Sequence, residues 1–306
     1  MLEGAHDNYH GYQAEEIKMP RRANETLALM DGFDLPMLFD AFWQPAELAF
    51  LFGAPGVGKS LLAVQVAEAL ARGNRILGEG PSEIPPQRVL YVDLVMGGRH
   101  FAARYEPYEF ASGFYRDAPV NHDLFDWLLH MITVFEFKII VIDDLTMIDE
   151  RSDGVRASLQ LMHELRLLAG AYSTSILVLG DSYPLVFDRS PERALRRSQV
   201  LCSVADSTFA LLAPPDAEKG RRNLVQTRSR SDELIWTAAN PLPCFLERLP
   251  NGLTGFRFDP PAIDKELQEK IAAIKQMHDR AGKTFRTIAA ELNISKSQAQ
   301  RLHSLG

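Results

Sequence analysis

The sequence predicts an α/β domain with a mainly parallel β-sheet, a β-hairpin extension and a small all-helical C-terminal domain. Short, almost wholly apolar segments alternate with helical segments through the first two thirds of the chain. Strands that are apolar at nearly every position are buried on both faces, as in a parallel sheet covered by helices. After residue 206, short strand-like segments divided by Pro, Gly and Asn take over. Beyond Asp259-Pro260-Pro261 the pattern is helical.

Each predicted element has a local signal. Apolar runs predict parallel strands at 48–52, 89–94, 138–143 and 175–180. Helical periodicity predicts helices at 61–72, 98–106, 122–135 and 152–171. Shorter alternating segments predict hairpin strands at 209–212, 223–228, 234–236 and 244–248. Residues 35–43 are expected to pack under the core.

A glycine-rich sequence separates the first strand from the first helix. It reads Gly53-Ala54-Pro55-Gly56-Val57-Gly58-Lys59-Ser60 and is followed by Leu61. In this context its N–H groups converge on a phosphate at a helix N-terminus, Lys59 reaches the β/γ oxygens, and Ser60 binds Mg²⁺. A plain glycine-rich turn is the alternative, but both flanks favour a nucleotide site. We therefore expect ATP and Mg²⁺ as ligands.

The third apolar strand ends in two acids, Asp143 and Asp144. In P-loop enzymes an acid at this place orders the Mg²⁺ shell, and Asp143 is the candidate. Apolar strands that end in Asp are common in α/β proteins, so this assignment depends on the loop upstream.

Composition and charge set further bounds. The chain has 306 residues, 46% hydrophobic and 24% charged, which suits one large α/β domain and a smaller one. Cys202 and Cys244 lack metal-ligand spacing, and no apolar run has the length of a membrane span. We therefore expect a cytoplasmic protein without membrane contact. The net charge is −7, yet residues 265–306 carry +4, which is a weak sign of a tail that faces nucleic acid.

The order of motifs resembles that of the RecA-like AAA ATPases related to RepA-type plasmid replicative helicases. The matching segments are 38–42, 53–60, 91–96, 142–145, 205–206 and 226–231. The resemblance covers about residues 35–258. It implies a RecA-like core, a homo-oligomeric and usually hexameric ring, ATP at subunit interfaces and single-stranded DNA in the pore. Residues 1–34 are then an arm and residues 259–306 a helix-turn-helix domain.

Two positions depart from this family. The family usually places a catalytic glutamate where this chain has Val95, which cannot accept a proton. It also tends to carry a polar sensor, often His, where this chain has Gly180-Asp181-Ser182. Asp144 and Asp93 are candidates to replace the missing base in part. ATP hydrolysis is therefore less secure than ATP binding.

Arg228 and Arg230 stand one residue apart on a predicted strand, so both side chains point to the same face. The family uses this strand to reach the nucleotide of the neighbouring subunit, where a guanidinium stabilises transition-state charge. The alternative is a solvated surface pair on an edge strand.

Two regions are candidates for DNA contact. Residues 183–199 follow the fourth parallel strand and contain Arg189, Arg193, Arg196 and Arg197, although an ordinary solvated loop has similar composition. Residues 284–302 have the pattern of a helix-turn-helix, with Asn293 in the turn and Ser295 as helix cap. This pattern leaves three outward residues, Ser297, Gln298 and Arg301. A helical bundle for subunit contacts remains open.

Three functions fit these observations. The leading one is a RecA-like ring ATPase that acts on DNA, as a helicase or remodelling motor in replication or recombination of a mobile element. The second is an ATP-gated DNA-binding or loading factor with weak or no hydrolysis. The third, a small-molecule kinase, is disfavoured by the arginine pair and the helical tail.

Overall fold

The structure is a computed structural model that describes residues 22–25, 36–77, 80–120, 122–145, 155–181, 199–215, 217–230, 234–259 and 265–304. Residues 1–34 and 35–306 form two compact units. In the first unit, residues 23–25 form a single helical turn. The sheet and its flanking helices lie in the second unit.

The described strands of the second unit form one nine-stranded sheet. They are β1 (Leu48–Gly53), β2 (Val89–Asp93), β3 (Phe114–Asp117), β4 (Ile139–Asp143), β5 (Ser175–Asp181), β6 (Ser207–Leu212), β7 (Arg221–Ser229), β8 (Leu242–Arg248) and β9 (Thr254–Phe258). Their order is β3-β2-β4-β5-β1-β6-β7-β8-β9. From β3 to β6 the neighbours are parallel, and from β6 to β9 they are antiparallel.

Five helices accompany the sheet and three follow it in the described part of the chain. They are α1 (Lys59–Arg72), α2 (Gly98–Tyr105), α3 (Leu124–Thr133), α4 (Val155–Tyr172), α5 (Gln199–Val204), α6 (Lys265–Lys275), α7 (Phe285–Leu292) and α8 (Lys296–Ser304). A π-helical turn, Gln276–Arg280, continues α6. Within the described residues, no helix combines the length and apolar character needed to cross a membrane.

Alternate residues of each parallel strand point to opposite faces of the sheet and pack in two separate hydrophobic cores. Leu51 of β1 packs with α1 and with residues 38–43, whereas Phe50 and Phe52 pack with α3 and α4. Trp43 is completely buried, and full burial of such a side chain contributes roughly 1.5–3 kcal/mol. Because both faces are covered, the ends of the strands are where polar groups can gather.

These observations confirm the predicted α/β architecture with its parallel core and hairpin extension, and the expected burial of residues 37–43. The predicted strand at 234–236 is wrong. Those residues form a bend in which the Gln226 side chain accepts hydrogen bonds from the N–H groups of Ile235 and Trp236, at 2.8 and 2.9 Å. The bend places the Trp236 ring in the core. The apolar character of residues 234–236 therefore reflects burial of a bend and not a strand.

Two strands were not predicted, β3 and β9. β3 is short and lies at the sheet edge, so its half-buried residues alternate with exposed ones. β9 follows a tight turn at Asn251-Gly252, in which Gly252 has a φ of 89°. An Asn-Gly pair between two such segments is a strong hairpin signal. It could have identified β9 from the sequence.

The last three helices share a small core formed by Ile274, Ile288, Ala299 and Leu302. Asn293 ends α7 in the left-handed conformation, with a φ of 54°. The Ser295 hydroxyl accepts a hydrogen bond from the Gln298 N–H at 3.0 Å and so caps α8. The helical bundle also packs against Ile235 of the sheet domain.

Candidate functional site

The glycine-rich loop lies at the carboxyl edge of the parallel strands, between β1 and α1. Its backbone requires glycine at two positions, because Gly56 and Gly58 have φ values of 75° and 113°. A Cβ atom on Gly58 would lie 2.8 Å from the Phe256 ring. The absence of a side chain at Gly58 therefore allows the loop to lie close to β9.

The N-terminus of α1 is suited to an anion. Among the described residues, no side chain caps this helix and no acid lies in its first turn. Arg222 of β7 donates from Nε to the Val57 carbonyl at 3.0 Å and anchors the loop. Pro55 and Gly56 are exposed, whereas Ser60 and Leu61 are partly buried at the start of the helix. The helix thus presents its first N–H groups and its positive dipole end to a phosphate.

The Lys59 side chain is only 6% exposed and is held inside the loop. Its Nζ donates to the Gly53 carbonyl at 3.1 Å and to the Ala54 carbonyl at 3.4 Å. It also forms a short ion pair with Asp181 Oδ1. Strand register explains the pairing, because Asp181 at the end of β5 lies directly opposite Gly53. Asp181, which lies in the segment where the family tends to carry a polar sensor, therefore neutralises the charge of Lys59. The sequence did not predict this contact.

Asp143 at the end of β4 is 2% exposed, and its two carboxylate oxygens differ in their hydrogen bonds. Oδ2 accepts a hydrogen bond from the Tyr91 hydroxyl at 2.6 Å. Oδ1 is buried without a hydrogen-bond partner in the described structure. Burial raises the pKa of Asp143 to about 6, although hydrogen bonds from Tyr91 and Ser60 oppose the shift. An unpaired buried carboxylate oxygen beside the Ser60 hydroxyl fits the oxygen ligands that Mg²⁺ prefers.

Asp93, which was predicted as a partial substitute for the base, has hydrogen bonds on both carboxylate oxygens. Its Oδ1 accepts hydrogen bonds from the N–H groups of Val95 and Met96, at 3.2 and 2.7 Å. Its Oδ2 pairs with Arg116 Nε at 2.8 Å. Each oxygen is thus engaged in holding the turn after β2.

Asp144 and Val95 lie at the same edge of the sheet. Asp144 is 7% exposed, follows Asp143 through a cis peptide bond, and through its charge raises the pKa of Asp143. Asp144 thus remains the candidate for the missing base. Val95 is 52% exposed, so its apolar side chain stands in solvent just after β2.

Arg228 and Arg230 do lie on one side of the sheet, against the end of α5. Arg228 Nη1 donates to the Cys202 carbonyl at 2.6 Å. Arg230 Nε lies 3.2 Å from Asp206, which also pairs with Arg166 at 3.1 Å. Burial and the charge of Arg166 lower the pKa of Arg230. The cluster therefore combines three arginines with one aspartate.

The pair lies away from the P-loop of its own chain. Arg228 is opposite Thr208 of β6, which in turn is opposite Phe50 of β1. Phe50 precedes Gly53 by about 10 Å along the strand, and two interstrand spacings add about 10 Å across the sheet. The α5 carbonyls hold the guanidinium groups on the face opposite α1. Arg228 and Arg230 are therefore badly placed for the nucleotide of their own chain.

The predicted DNA contacts are mostly outside the described structure. Arg189, Arg193, Arg196 and Arg197 lie outside the described residues. Ser297 and Arg301 belong to α8, but their side chains are outside the description. Gln298 is partly buried, and its N–H donates to the Ser295 cap.

Comparisons with known proteins agree with this fold. Residues 34–169 match a family model described as an AAA domain. A KaiC-like protein from the hyperthermophilic archaeon Pyrococcus horikoshii OT3 has a similar structure, with a TM-score of 0.54 and 15% sequence identity over 71% of this chain and 91% of that chain. The fold is that of a RecA-like P-loop ATPase. A search of curated proteins finds no match.

We expect Asp181→Asn to tighten ATP binding. The carboxylate competes with phosphate oxygens for Lys59 and repels them, so its neutralisation should lower the Kd of ATP roughly three- to tenfold, or about 1 kcal/mol. Calorimetry with and without Mg²⁺ measures the effect. Asp117→Asn, which removes an exposed acid at the end of β3, is the matched control. Weaker binding in Asp181→Asn would show instead that Asp181 helps to hold the nucleotide.

We expect Asp143→Asn to stabilise the protein without Mg²⁺ while it removes Mg²⁺ binding. The folded-state pKa of about 6 exceeds the ordinary aspartate value of 3.8, so folding disfavours the ionised form. Relative to the variant, the parent loses stability as pH rises from about 4 to 6, and the difference levels off above 6 at about 2–3 kcal/mol. Urea unfolding at pH 5 and 8 tests this, with Asp126→Asn as an exposed control. Equal stability of parent and variant at pH 8 would contradict the raised pKa.

Proposed function

We propose that this protein is an ATP-hydrolysing RecA-like ring ATPase that acts on DNA. The observation that carries the proposal is the joint placement of Lys59, Ser60 and the unpaired Asp143 oxygen at one sheet edge. This arrangement provides a cation for the phosphates and two oxygen ligands for Mg²⁺. The motif order shared with RepA-type plasmid helicases supports the choice of DNA as substrate.

ATP binding follows from the residues of this edge. The first N–H groups of α1 would donate hydrogen bonds to the phosphates, and Lys59 would exchange the Asp181 carboxylate for β/γ oxygens. Ser60 and Asp143 would hold Mg²⁺, which when bound neutralises charge between the β- and γ-phosphates. Asp144, adjacent in sequence to Asp143, is the candidate to orient the attacking water. Asp181 then faces the γ-phosphate side and can respond to its presence.

The arginine cluster supports an assembly in which neighbouring subunits share each site. Arg228 and Arg230 lie far from the P-loop of their own chain, and Arg230 retains substantial exposure at its side chain, 40%. A guanidinium that enters from a neighbour stabilises the charge of the transferring phosphoryl group. We therefore assign these two residues to the nucleotide of an adjacent subunit in a ring, by analogy hexameric.

DNA contact is assigned to two regions. The arginine-rich segment 183–199 follows β5 in the sequence, and β5 ends at Asp181, which pairs with Lys59. We propose that it holds single-stranded DNA through phosphate contacts. The capped helix α8, in a tail with net charge +4, is proposed to contact duplex DNA.

An ATP-gated DNA-binding or loading factor is the second candidate. Two observations favour it: Val95 occupies the position of the expected base, and Asp93 is fully engaged with the following turn. A gate needs only to bind ATP, whereas a motor must hydrolyse it on DNA. The rate of ATP hydrolysis with and without single-stranded DNA separates the two functions.

We expect Val95→Glu to raise ATP turnover at least tenfold. The exposed side chain leaves room for a carboxylate at the carboxyl edge, and a positioned general base contributes on the order of 10²–10⁴ in rate. Steady-state phosphate release measures the effect, and Val95→Gln, which cannot act as a base, is the matched control. If Val95→Glu changes nothing and the parent already hydrolyses ATP rapidly on DNA, another residue is the base.

We expect two inactive variants to restore activity when they are mixed. Lys59→Ala removes the P-loop cation, and Arg230→Ala removes the arginine offered to the neighbour. In a mixed ring some interfaces combine an intact P-loop with an intact arginine, so DNA-stimulated hydrolysis should partly return. Each variant alone, and the double variant mixed with either, should stay inactive. Lack of recovery in rings shown to contain both chains would place Arg230 outside the shared site.

A further inference from the structure

A second cluster of ionisable side chains lies far along the chain from the P-loop, at the base of the helical bundle. His278 Nδ1 lies 3.0 Å from Asp279 Oδ1, and His303 Nε2 lies 2.8 Å from the same oxygen. One potential ligand atom of each residue lies within 4.8 Å of the others. Two imidazoles and a carboxylate thus converge on one point.

The sheet domain adds a fourth group to this cluster. Glu83 Oε1, in the loop between α1 and β2, lies 3.3 Å from His303 Nδ1. A carboxylate on Nδ1 fixes the tautomer and leaves Nε2 facing Asp279 and His278. Metal-binding histidines almost always have such a partner on their second ring nitrogen.

Local structure explains why these side chains meet. His278 and Asp279 lie in the π-helical turn, which is a rare conformation found often at functional sites. The His278 ring stacks on Phe285 with centroids 4.1 Å apart and an interplanar angle of 12°. The His303 ring is buried and contacts the edges of both rings. Aromatic packing therefore brings the two imidazoles together and holds the buried His303 ring, whereas the His278 side chain stays partly exposed.

We propose that His278, Asp279 and His303 bind a zinc ion, with Glu83 as the group that orients His303. The ion replaces the protons that the two imidazoles share with Asp279 Oδ1, and water completes the coordination. Two nitrogens at about 2.0–2.1 Å from one tetrahedral zinc ion lie about 3.4 Å apart, so ligand atoms now up to 4.8 Å apart must close by about 1.4 Å. His278 and Asp279 are partly exposed and can make this movement. Imidazole ligands favour Zn²⁺ over Mg²⁺ or Ca²⁺.

The position of the site gives it a structural consequence. His278, Asp279 and His303 belong to the helical bundle, whereas Glu83 belongs to the sheet domain. A bound ion makes the His303 ring a stronger donor to Glu83 and so strengthens the contact between bundle and sheet domain. The proposed zinc site is thus separate from the ATP site and does not depend on the proposed function.

Competition between the full-length protein and a chromophoric zinc chelator tests the proposal, after any histidine tag has been removed. The parent should bind one Zn²⁺ per chain, and an excess of Mg²⁺ should not displace it. His278→Gln and His303→Gln should each weaken binding at least a hundredfold, and Glu83→Gln should weaken it about 10–100-fold. His163→Gln, which alters an exposed histidine on α4, should bind as the parent does.

Two further measurements keep the test decisive if a variant folds poorly. With Co²⁺ in place of Zn²⁺, the parent should show the visible absorption of a cobalt ion with nitrogen and oxygen ligands, and His278→Gln should not. Because the His278 side chain is partly exposed, this variant is expected to fold. Zn²⁺ should raise the Tm of the parent but not of folded His278→Gln. The proposal fails if parent and His278→Gln bind zinc equally, or if the parent binds none.

Discussion

The buried ammonium of Lys59 is the charge around which the carboxyl edge of the sheet is arranged. Removing an ammonium from water costs several kcal/mol unless acceptors replace the lost hydration. The Gly53 and Ala54 carbonyls and the Asp181 carboxylate supply those acceptors. The loop can therefore fold without a nucleotide. A nucleotide bound here would therefore have to replace an internal counterion of Lys59.

Asp143 presents the opposite case a few ångströms along the same edge. Its carboxylate is buried beside Asp144 and Asp93, and the Tyr91 hydroxyl satisfies only one of its oxygens. The ionised form is disfavoured until a cation arrives, which explains why the pKa is raised to about 6. Lys59 is thus satisfied in the folded chain, whereas Asp143 is not. Burial of the ionised acid lowers the stability of the folded chain, and a bound cation would restore it, a trade-off that is common at functional sites.

The parts of this site that the sequence could predict are local. The P-loop is contiguous, and Asp143 ends an apolar strand, so motif and strand pattern suffice for both. The Lys59–Asp181 pair joins the first residue of α1 to the last residue of β5, and only the strand order, which places β5 beside β1, brings them together. The same holds for Arg116 on Asp93 and for His303 between Glu83 and Asp279. Such contacts depend on the register between strands and on how the helices pack against the sheet domain. The hydrophobic periodicity of one segment does not determine either.

Strand direction in the sheet also determines where the arginine cluster lies relative to the P-loop. β7 runs antiparallel to β6, so its C-terminal arginines return to the edge of the sheet from which β1 starts. A strand that had run parallel would have delivered them to the P-loop edge. Among the described residues, Arg166 and Arg230 pair with one acid, Asp206, and Arg228 donates to the Cys202 carbonyl, so this part of the cluster carries an excess of positive charge far from the P-loop of the same chain. Such an excess is costly in isolation and is relieved by an anion. The charge and the position of this cluster are the observations behind the proposal that the nucleotide of a neighbouring subunit is its partner.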